Sequence, residues 1–416
     1  MPNPSRSYGD ALMQRLDALA EFTDEPGRLT RLYLSPAHAK AAAQVEIWMR
    51  DAGLSVRRDA LGTVIGRLDG ATPGLPALVL ASHIDTVRNA GRYDGPLGVL
   101  AAIAAVGAMT EKPDAARPFA IEVMAFGDEE NVRFPSRLLS SRALTGAVAP
   151  AELNARDAED ISVADALPLI GGDATGLKSA ERQPHDIIAY IELHIEQGPV
   201  LEARQTALGV VTSISGATRM RFKVTGEAGH AGTVPMALRR DALAASAEMV
   251  LATEALARTT PELVATVGQI SAEPGAVNVV PGAAKFSLDL RHPDDATRQS
   301  AVAQLTAGFA QIAKRRNVSL TSETTYDEPA ATADPRVMAL LASSLERLQQ
   351  PVVRLASGAG HDAMAIAKRW PMGMLFLRCK GGISPNPAEA ITTADADLAV
   401  RVLIETIQQF DPQPFR

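Results

Sequence analysis

A single cysteine among 416 residues excludes an internal disulfide. Cys379 lies in the apolar run MLFLRC, where packing is its expected role, and such sparing cysteine use fits a reducing, cytoplasmic setting. Long hydrophobic runs are missing as well: no stretch reaches the ~18–20 uninterrupted apolar residues of a membrane span. The opening MPNPSRSYGDALMQRLDAL has no charged region leading into an apolar core, so no secretory signal is expected there. Basic excess is absent too. With 41 Lys+Arg against 48 Asp+Glu, the net charge is -7, which excludes the concentrated basic surface that nucleic-acid phosphates require. Arg57-Arg58 and Arg239-Arg240 are isolated pairs of the kind solvated surfaces carry. There is no Gly-x-Ser-x-Gly elbow, no Gly-x-Gly-x-x-Gly after a strand and no Gly-Lys-Ser/Thr loop. The glycines at 91, 95 and 98 have the wrong spacing, so serine-hydrolase and nucleotide-binding classes are set aside.

What remains is a chain long enough for two cores, with 46% hydrophobic and 21% charged residues, an ordinary globular composition. Residues 37–52 follow a helical pattern that Gly53 stops, and PLGVLAAIAAVGAMT at 96–110 predicts a strong helix with Pro96 in its first turn. The runs at 76–82, 119–126, 187–193 and 371–377 are apolar on both faces, as central strands covered by helices on each side must be. The middle of the chain differs. In TRMRFKV (218–224) and AKFSLDLR (284–291) apolar and polar residues alternate, which predicts antiparallel strands with one wet face, and a helix is expected at about 237–258 between them. These patterns predict an α/β fold, a mixed sheet flanked by helices, built from residues 1–211 and 329–416, with a smaller α+β domain inserted at 212–328.

Only seven histidines are present, and four sit in polar or glycine-rich clusters: His83, His194, His230 and His361. In ALVLASHIDTVRNAGRYDGPLGV a buried strand runs into His83 and Asp85, two residues apart and so on one side of an extended segment. An imidazole there can bind a metal while a carboxylate behind it fixes the tautomer. Asp94 follows in a glycine-bounded turn, and its two oxygens could bridge two cations. In VMAFGDEENVRF another buried strand ends in Asp128, Glu129 and Glu130. Such crowding of like charge is destabilising without a cation or shared proton, and adjacent carboxylates can divide metal binding and proton transfer. In IELHIEQGPVLE, His194 and Glu196 again follow an apolar strand. Three strand ends thus carry metal-type ligands, where open α/β sheets bind their ligands.

Taken together, SHIDTV…GRYDG, FGDEENVRF, ELHIEQGPVLE, GEAGHAGTVPM…RRDA, PGAVNVVPG…DLRHPD and SGAGHDAM resemble the dinuclear-zinc amidohydrolases related to aminoacylases and carboxypeptidases. The similarity is to the branch of allantoate amidohydrolases and N-carbamoyl-L-amino acid hydrolases, and it covers nearly the whole chain. It implies that His83 and His194 hold one metal, that Glu130 holds a second and that Asp94 bridges them. It further implies that Asp85 orients His83 and that Glu129 is the catalytic base. His230 would approach the active site of a partner subunit, in a homodimer formed through 212–328. Asn278 and Arg291 would bind the substrate carboxylate, for which a guanidinium fork is suited. Gly360, His361 and Gln197 would complete the substrate pocket.

Two departures from that pattern stand out. Where the family has a metal-ligating histidine, GGISPNPAE has Pro385, which offers no donor atom; its polar neighbours Ser384 and Asn386 are poorer ligands. Asn131 stands where a glycine is common. The expected function is metal-dependent hydrolysis of a ureido C–N bond in a small carboxylate, foremost in allantoate. N-carbamoyl-L-amino acid hydrolase or β-ureidopropionase activity is the alternative within the fold, and a metal-poor, non-catalytic ureido-acid binder is the alternative outside it. The expected cofactor is Zn²⁺ or Mn²⁺, with Co²⁺ or Ni²⁺ also compatible with mixed N/O ligands, in one well-supplied site and a second that Pro385 leaves weak, exchangeable or empty.

Overall fold

A computed structural model describes residues 7–110 and 117–415. The chain divides into two compact units, residues 1–212, 333–355 and 359–416 in one and residues 213–332 with 356–358 in the other. Among the described residues no helix is long and apolar enough to cross a membrane.

The large unit is built on a mixed sheet. Its strands lie in the order Ser55–Arg58, Val64–Leu68, Ala120–Phe126, Ala77–His83, Ile187–Ile195, Met372–Leu377 and Leu208–Ile214. The four central strands pair in parallel, and the outer neighbours are antiparallel. Every residue of those four strands is buried, which is why they read as continuous apolar runs rather than as alternations. The helix Pro96–Thr110 is apolar nearly all round because it packs on the strands Ala77–His83 and Ile187–Ile195 and also touches the helices Tyr8–Ala20 and Thr393–Gln409. Gly98 permits that approach: a Cβ there would lie 2.1 Å from the Leu193 carbonyl oxygen. Since Ala77–His83 is parallel to both Ala120–Phe126 and Ile187–Ile195, all three deliver their carboxyl ends to one edge of the sheet.

The small unit carries an antiparallel sheet in the order Ile270–Glu273, Ala283–His292, Gly216–Thr225, Ser319–Glu328, with Val264–Thr266 also paired to Ala283–His292. Met220, Phe222 and Val224 point to its core while Arg219, Arg221 and Lys223 do not. Phe222 stacks on Phe286 with centroids 5.0 Å apart, and Phe309 from the helix Asp295–Arg315 closes edge-on at 5.1 Å. The other covering helix is Ala242–Thr259, shorter at its start than the periodicity suggests. Asp241 accepts a hydrogen bond from the Ala244 amide and caps the helix, leaving Met236–Leu238 as a separate single turn. A two-stranded ribbon pairs Gly229–His230 with Val279–Val280.

Candidate metal centre

The sheet edge brings His83, Asp94 and His194 together in the large unit. His83 is the last residue of its strand, and its Nδ1 lies 3.0 Å from the carbonyl oxygen of Asp85. His194 places its Nδ1 2.9 Å from the carbonyl of Ile195. A carbonyl can only accept, so each Nδ1 carries a proton and Nε2 is the nitrogen that each ring can turn to a metal. They converge. His83 Nε2 is 3.7 Å and His194 Nε2 3.2 Å from Asp94 Oδ1, and the two nitrogens are 3.5 Å apart. Ligands about 2.0–2.1 Å from a tetrahedral ion would be spaced roughly 3.3 Å apart, so this N,N,O set fits a divalent metal such as zinc. The turn that presents Asp94 requires Gly95, whose φ is +83° and whose Cβ would lie 2.4 Å from the His83 ring.

A second constellation, Glu192, His194 and His361, shares one imidazole with the first. Its carboxylate is already engaged: Glu192 accepts hydrogen bonds from Ser82 Oγ, Tyr190 OH and the Ala363 amide. Burial, with His194 and His83 nearby, holds the His361 ring well below the usual histidine range and therefore neutral. The first group is the better metal site.

Asp85 joins the strand ends. Its Oδ1 accepts from the Glu129 amide at 3.3 Å and its Oδ2 from the Glu130 amide at 3.2 Å, while Oδ1 also lies 3.6 Å from His83 Nδ1. The nearer partner of His83 is therefore the backbone carbonyl of residue 85, and the carboxylate chiefly anchors the 129–130 turn. That turn is made by Asp128 at φ +66° and Asn131 at φ +54°. Asparagine tolerates this conformation better than most residues, which accounts for its standing in a glycine's place, and its Nδ2 also reaches the Glu129 carbonyl. Asp85 is in turn set by Arg31, fully buried, which donates from Nε to the Ile84 carbonyl and from its backbone to Thr86 Oγ1.

The electrostatics of the cluster invite a cation. Burial opposes a charge on His83, but Asp85, Glu129 and Asp94 more than offset it and raise the ring well above the usual range. Burial, together with Glu130, Asp362 and Asp94, raises the Glu129 carboxyl well above the ordinary carboxylate range against the pull of His83. Burial and Asp94 push Glu130 up to about 8, and its Oε1 is buried without a hydrogen-bond partner. Asp94, despite burial, is held low by His194 and His83. Glu130 does not share the compact donor group of His83, Asp94 and His194.

Of the remaining sequence candidates, Gln197 reaches the centre, its Nε2 donating to Asp94 Oδ2 at 2.9 Å. His361 is buried with its ring 4.5 Å from that of His194, whereas Gly360 is exposed. On the small unit, His230 lies in the short ribbon and Asn278 immediately precedes its second strand, both exposed, with the Ala231 amide bonded to the Asn278 carbonyl. Arg291 presents no open fork: Nε and Nη2 bind the Asp289 carboxylate and Nη1 the Gly358 carbonyl. Asn386 Oδ1 accepts from the Ala388 amide, which ties the side chain to its own turn and leaves that oxygen one lone pair. Sequence reasoning passed over Glu389, whose Oε2 accepts from the Tyr93 and Asp94 amides. It also passed over Glu192, for which an acid inside the apolar run IIAYIEL was the available signal. That signal is ambiguous, because Glu122 in FAIEVMAF is equally buried and pairs with Arg67 and Arg182 instead.

The profile of Peptidase family M20/M25/M40 matches residues 79–409, a span that contains the whole centre. The chain belongs to this family. Its relatives place it in the amidohydrolase branch. It is 40% identical over 402 residues to the N-carbamoyl-L-amino acid amidohydrolase of Geobacillus stearothermophilus, covering 96% of this chain and 98% of that protein. It is 38% identical over 431 residues to the allantoate deiminase of Arabidopsis thaliana, covering 96% and 82%. A solved amidase of the hydantoinase/carbamoylase family from Burkholderia multivorans superposes with a TM-score of 0.90 at 31% identity, over 97% of each chain.

Proposed function

We propose that this chain hydrolyses a ureido C–N bond in a small carboxylate-bearing substrate, allantoate foremost. The observation that carries this reading is the convergence of two imidazole nitrogens and one carboxylate oxygen beside Glu129, a carboxyl group with a raised affinity for protons. Relatives named for both N-carbamoyl amino acids and allantoate support the ureido group as the reacting one. A bound divalent ion, Zn²⁺ or Mn²⁺, supplies Lewis acidity and lowers the pKa of water toward ~7. Glu129 takes a proton from the attacking water and returns it to the leaving nitrogen as the C–N bond breaks. Asp85 holds the backbone of Glu129 and Glu130 in place, and the Asp85 carbonyl fixes the His83 tautomer. The reading assigns Asn278 and Arg291 to the substrate carboxylate, with Arg291 exchanging its Asp289 or Gly358 contacts for the substrate; it assigns His230 to the developing oxyanion and Gly360, His361 and Gln197 to the pocket. It includes a cytoplasmic homodimer formed through 212–328, for which the exposed Leu251, Val264 and Ile270 of the small unit are available apolar surface.

The test is ammonia release by the metal-supplied chain from allantoate and from N-carbamoyl-L-amino acids, including N-carbamoyl-β-alanine. Faster turnover of allantoate is expected; faster turnover of an N-carbamoyl amino acid reassigns the substrate. Absence of turnover on all of them by a folded chain refutes the reading. Pro385 favours one rival, a binder without catalysis, and calorimetric binding of allantoate with no ammonia release identifies it.

A further inference from the structure

Asp94 has two carboxylate oxygens, and the structure treats them differently. Oδ1 faces the two imidazole nitrogens. Oδ2 faces the Gln197 amide and the Ser384 hydroxyl. Gln197 Nε2 donates to it at 2.9 Å and also approaches Ser384 Oγ at 3.1 Å, so one amide group spans both. Ser384 Oγ is 3.2 Å from Asp94 Oδ2 and 2.8 Å from Glu389 Oε1, and its single proton is best placed on the nearer oxygen. Glu389, buried, accepts in turn from the Tyr93 and Asp94 amides through Oε2 and approaches the Asn386 amide through Oε1 at 3.3 Å. Gly91 leaves room for it, because a Cβ there would lie 2.1 Å from the Glu389 carboxyl. The result is a chain of hydrogen bonds from Gln197 through Ser384 to Glu389 that holds both the side chain and the backbone of Asp94.

This arrangement leaves little on the Oδ2 side for a cation. Gln197 turns N–H groups, not lone pairs, toward it. Asn386 is committed to its own turn, and the residue between Ser384 and Asn386 is Pro385, which has no donor atom. Among the described residues Asp59, Asp128, Glu130 and Asp362 keep buried carboxylate oxygens without a hydrogen-bond partner, and none of the four belongs to the compact donor group around Asp94. We propose that the centre holds one divalent ion, with Asp94 a terminal ligand through Oδ1, and that Gln197, Ser384 and Glu389 are positioning residues that fix it in that role. The inference rests on the metal-dependent reading above and specifies its stoichiometry.

The experiment is a titration of the metal-free full chain with Co²⁺, followed by visible absorption and by equilibrium dialysis. The absorbance is expected to rise to an end point at one equivalent per chain. Ser384→Ala and Gln197→Leu are expected to keep that end point while weakening Co²⁺ binding about 10- to 100-fold, the usual effect of removing a partner of a metal ligand. Circular dichroism shows whether each variant is folded, and Ser384→Thr, which retains the hydroxyl, is expected to recover most of the affinity. A wild-type end point at two equivalents overturns the one-ion assignment and leaves the hydrolase reading standing. Unchanged affinity in both folded variants overturns the positioning role. No Co²⁺ binding by the folded wild type overturns both this inference and the metal-dependent reading.

Discussion

Asp85→Asn removes one charge and leaves the shape of the side chain nearly unchanged, so its effect isolates what the carboxylate does. In the structure Oδ1 accepts from the Glu129 amide and Oδ2 from the Glu130 amide. An asparagine has one acceptor oxygen and one NH₂ group, so in either orientation one of those two amides faces a donor. The change forfeits a charge-assisted hydrogen bond, about 1.5–3 kcal/mol, and strands an N–H group whose desolvation is of similar size. The two costs overlap, and a loss of about 3 kcal/mol in unfolding free energy is expected. It also takes away a negative charge that supports ionisation of the buried Arg31, whose guanidinium burial already lowers to about 10. The assay is urea unfolding of the metal-free chain at pH 7, with the midpoint falling and the slope unchanged. The pH dependence follows from the same geometry. Burial would raise the Asp85 carboxyl, but His83 holds it below the ordinary value, so its contribution is present above the unfolded value of about 3.9 and disappears as pH falls through the lower folded value. The wild-type advantage over Asp85→Asn should therefore be flat from pH 5 to 7 and shrink in strong acid. A loss below about 1 kcal/mol at pH 7 would refute the view that this carboxylate anchors the 129–130 turn.

Further outcomes are expected elsewhere in the centre. Glu129→Gln should bind the metal and fold normally yet lose about 10²- to 10⁴-fold in ureido hydrolysis, the typical contribution of general acid–base catalysis; near-normal turnover would remove Glu129 from the mechanism. Gly95→Ala should lose metal affinity and about 2–4 kcal/mol of stability, since the residue has φ +83° and its Cβ would press on the His83 ring; denaturation with and without metal reads both effects. Metal uptake at pH 7 should release protons: His83, raised well above the usual range, must give up its proton to ligate, and the added positive charge beside Glu130, pushed up to about 8, weakens its hold on a proton without its becoming a ligand. Affinity should consequently fall as pH drops from 8 to 6, and calorimetry in buffers of different ionisation enthalpy measures the protons. Arg291→Lys should raise KM for carboxylate substrates more than it lowers kcat, and an equal effect on an uncharged ureido compound would argue against the proposed clamp.

Local pattern in the sequence was enough to mark the strands Ala77–His83, Ala120–Phe126 and Ile187–Ile195, because a strand buried on both faces must be apolar at every position whatever lies around it. The same holds for the alternation in Gly216–Thr225, where one wet face imposes a period of two. Placing His83, Asp94, Glu129 and His194 just at or beyond such runs was legible for that reason. Partners were not legible, because a hydrogen bond is settled by distance in space and not by residue type. Nothing in HID says that His83 Nδ1 meets the carbonyl of residue 85 rather than its carboxylate. Nothing near Asp94 announces that Glu389 will hold its amide, or that Arg291 will lie against Asp289. Glu122 and Glu192 look alike within their apolar strands, yet arginines neutralise one while the other takes hydroxyl and amide donors beside the imidazoles. The residues that could ligate a metal were thus set out by the sequence, whereas which oxygen of Asp94 is free to do so was decided by tertiary packing, which brings Gln197 and Ser384 to Oδ2 and leaves Oδ1 to the histidines.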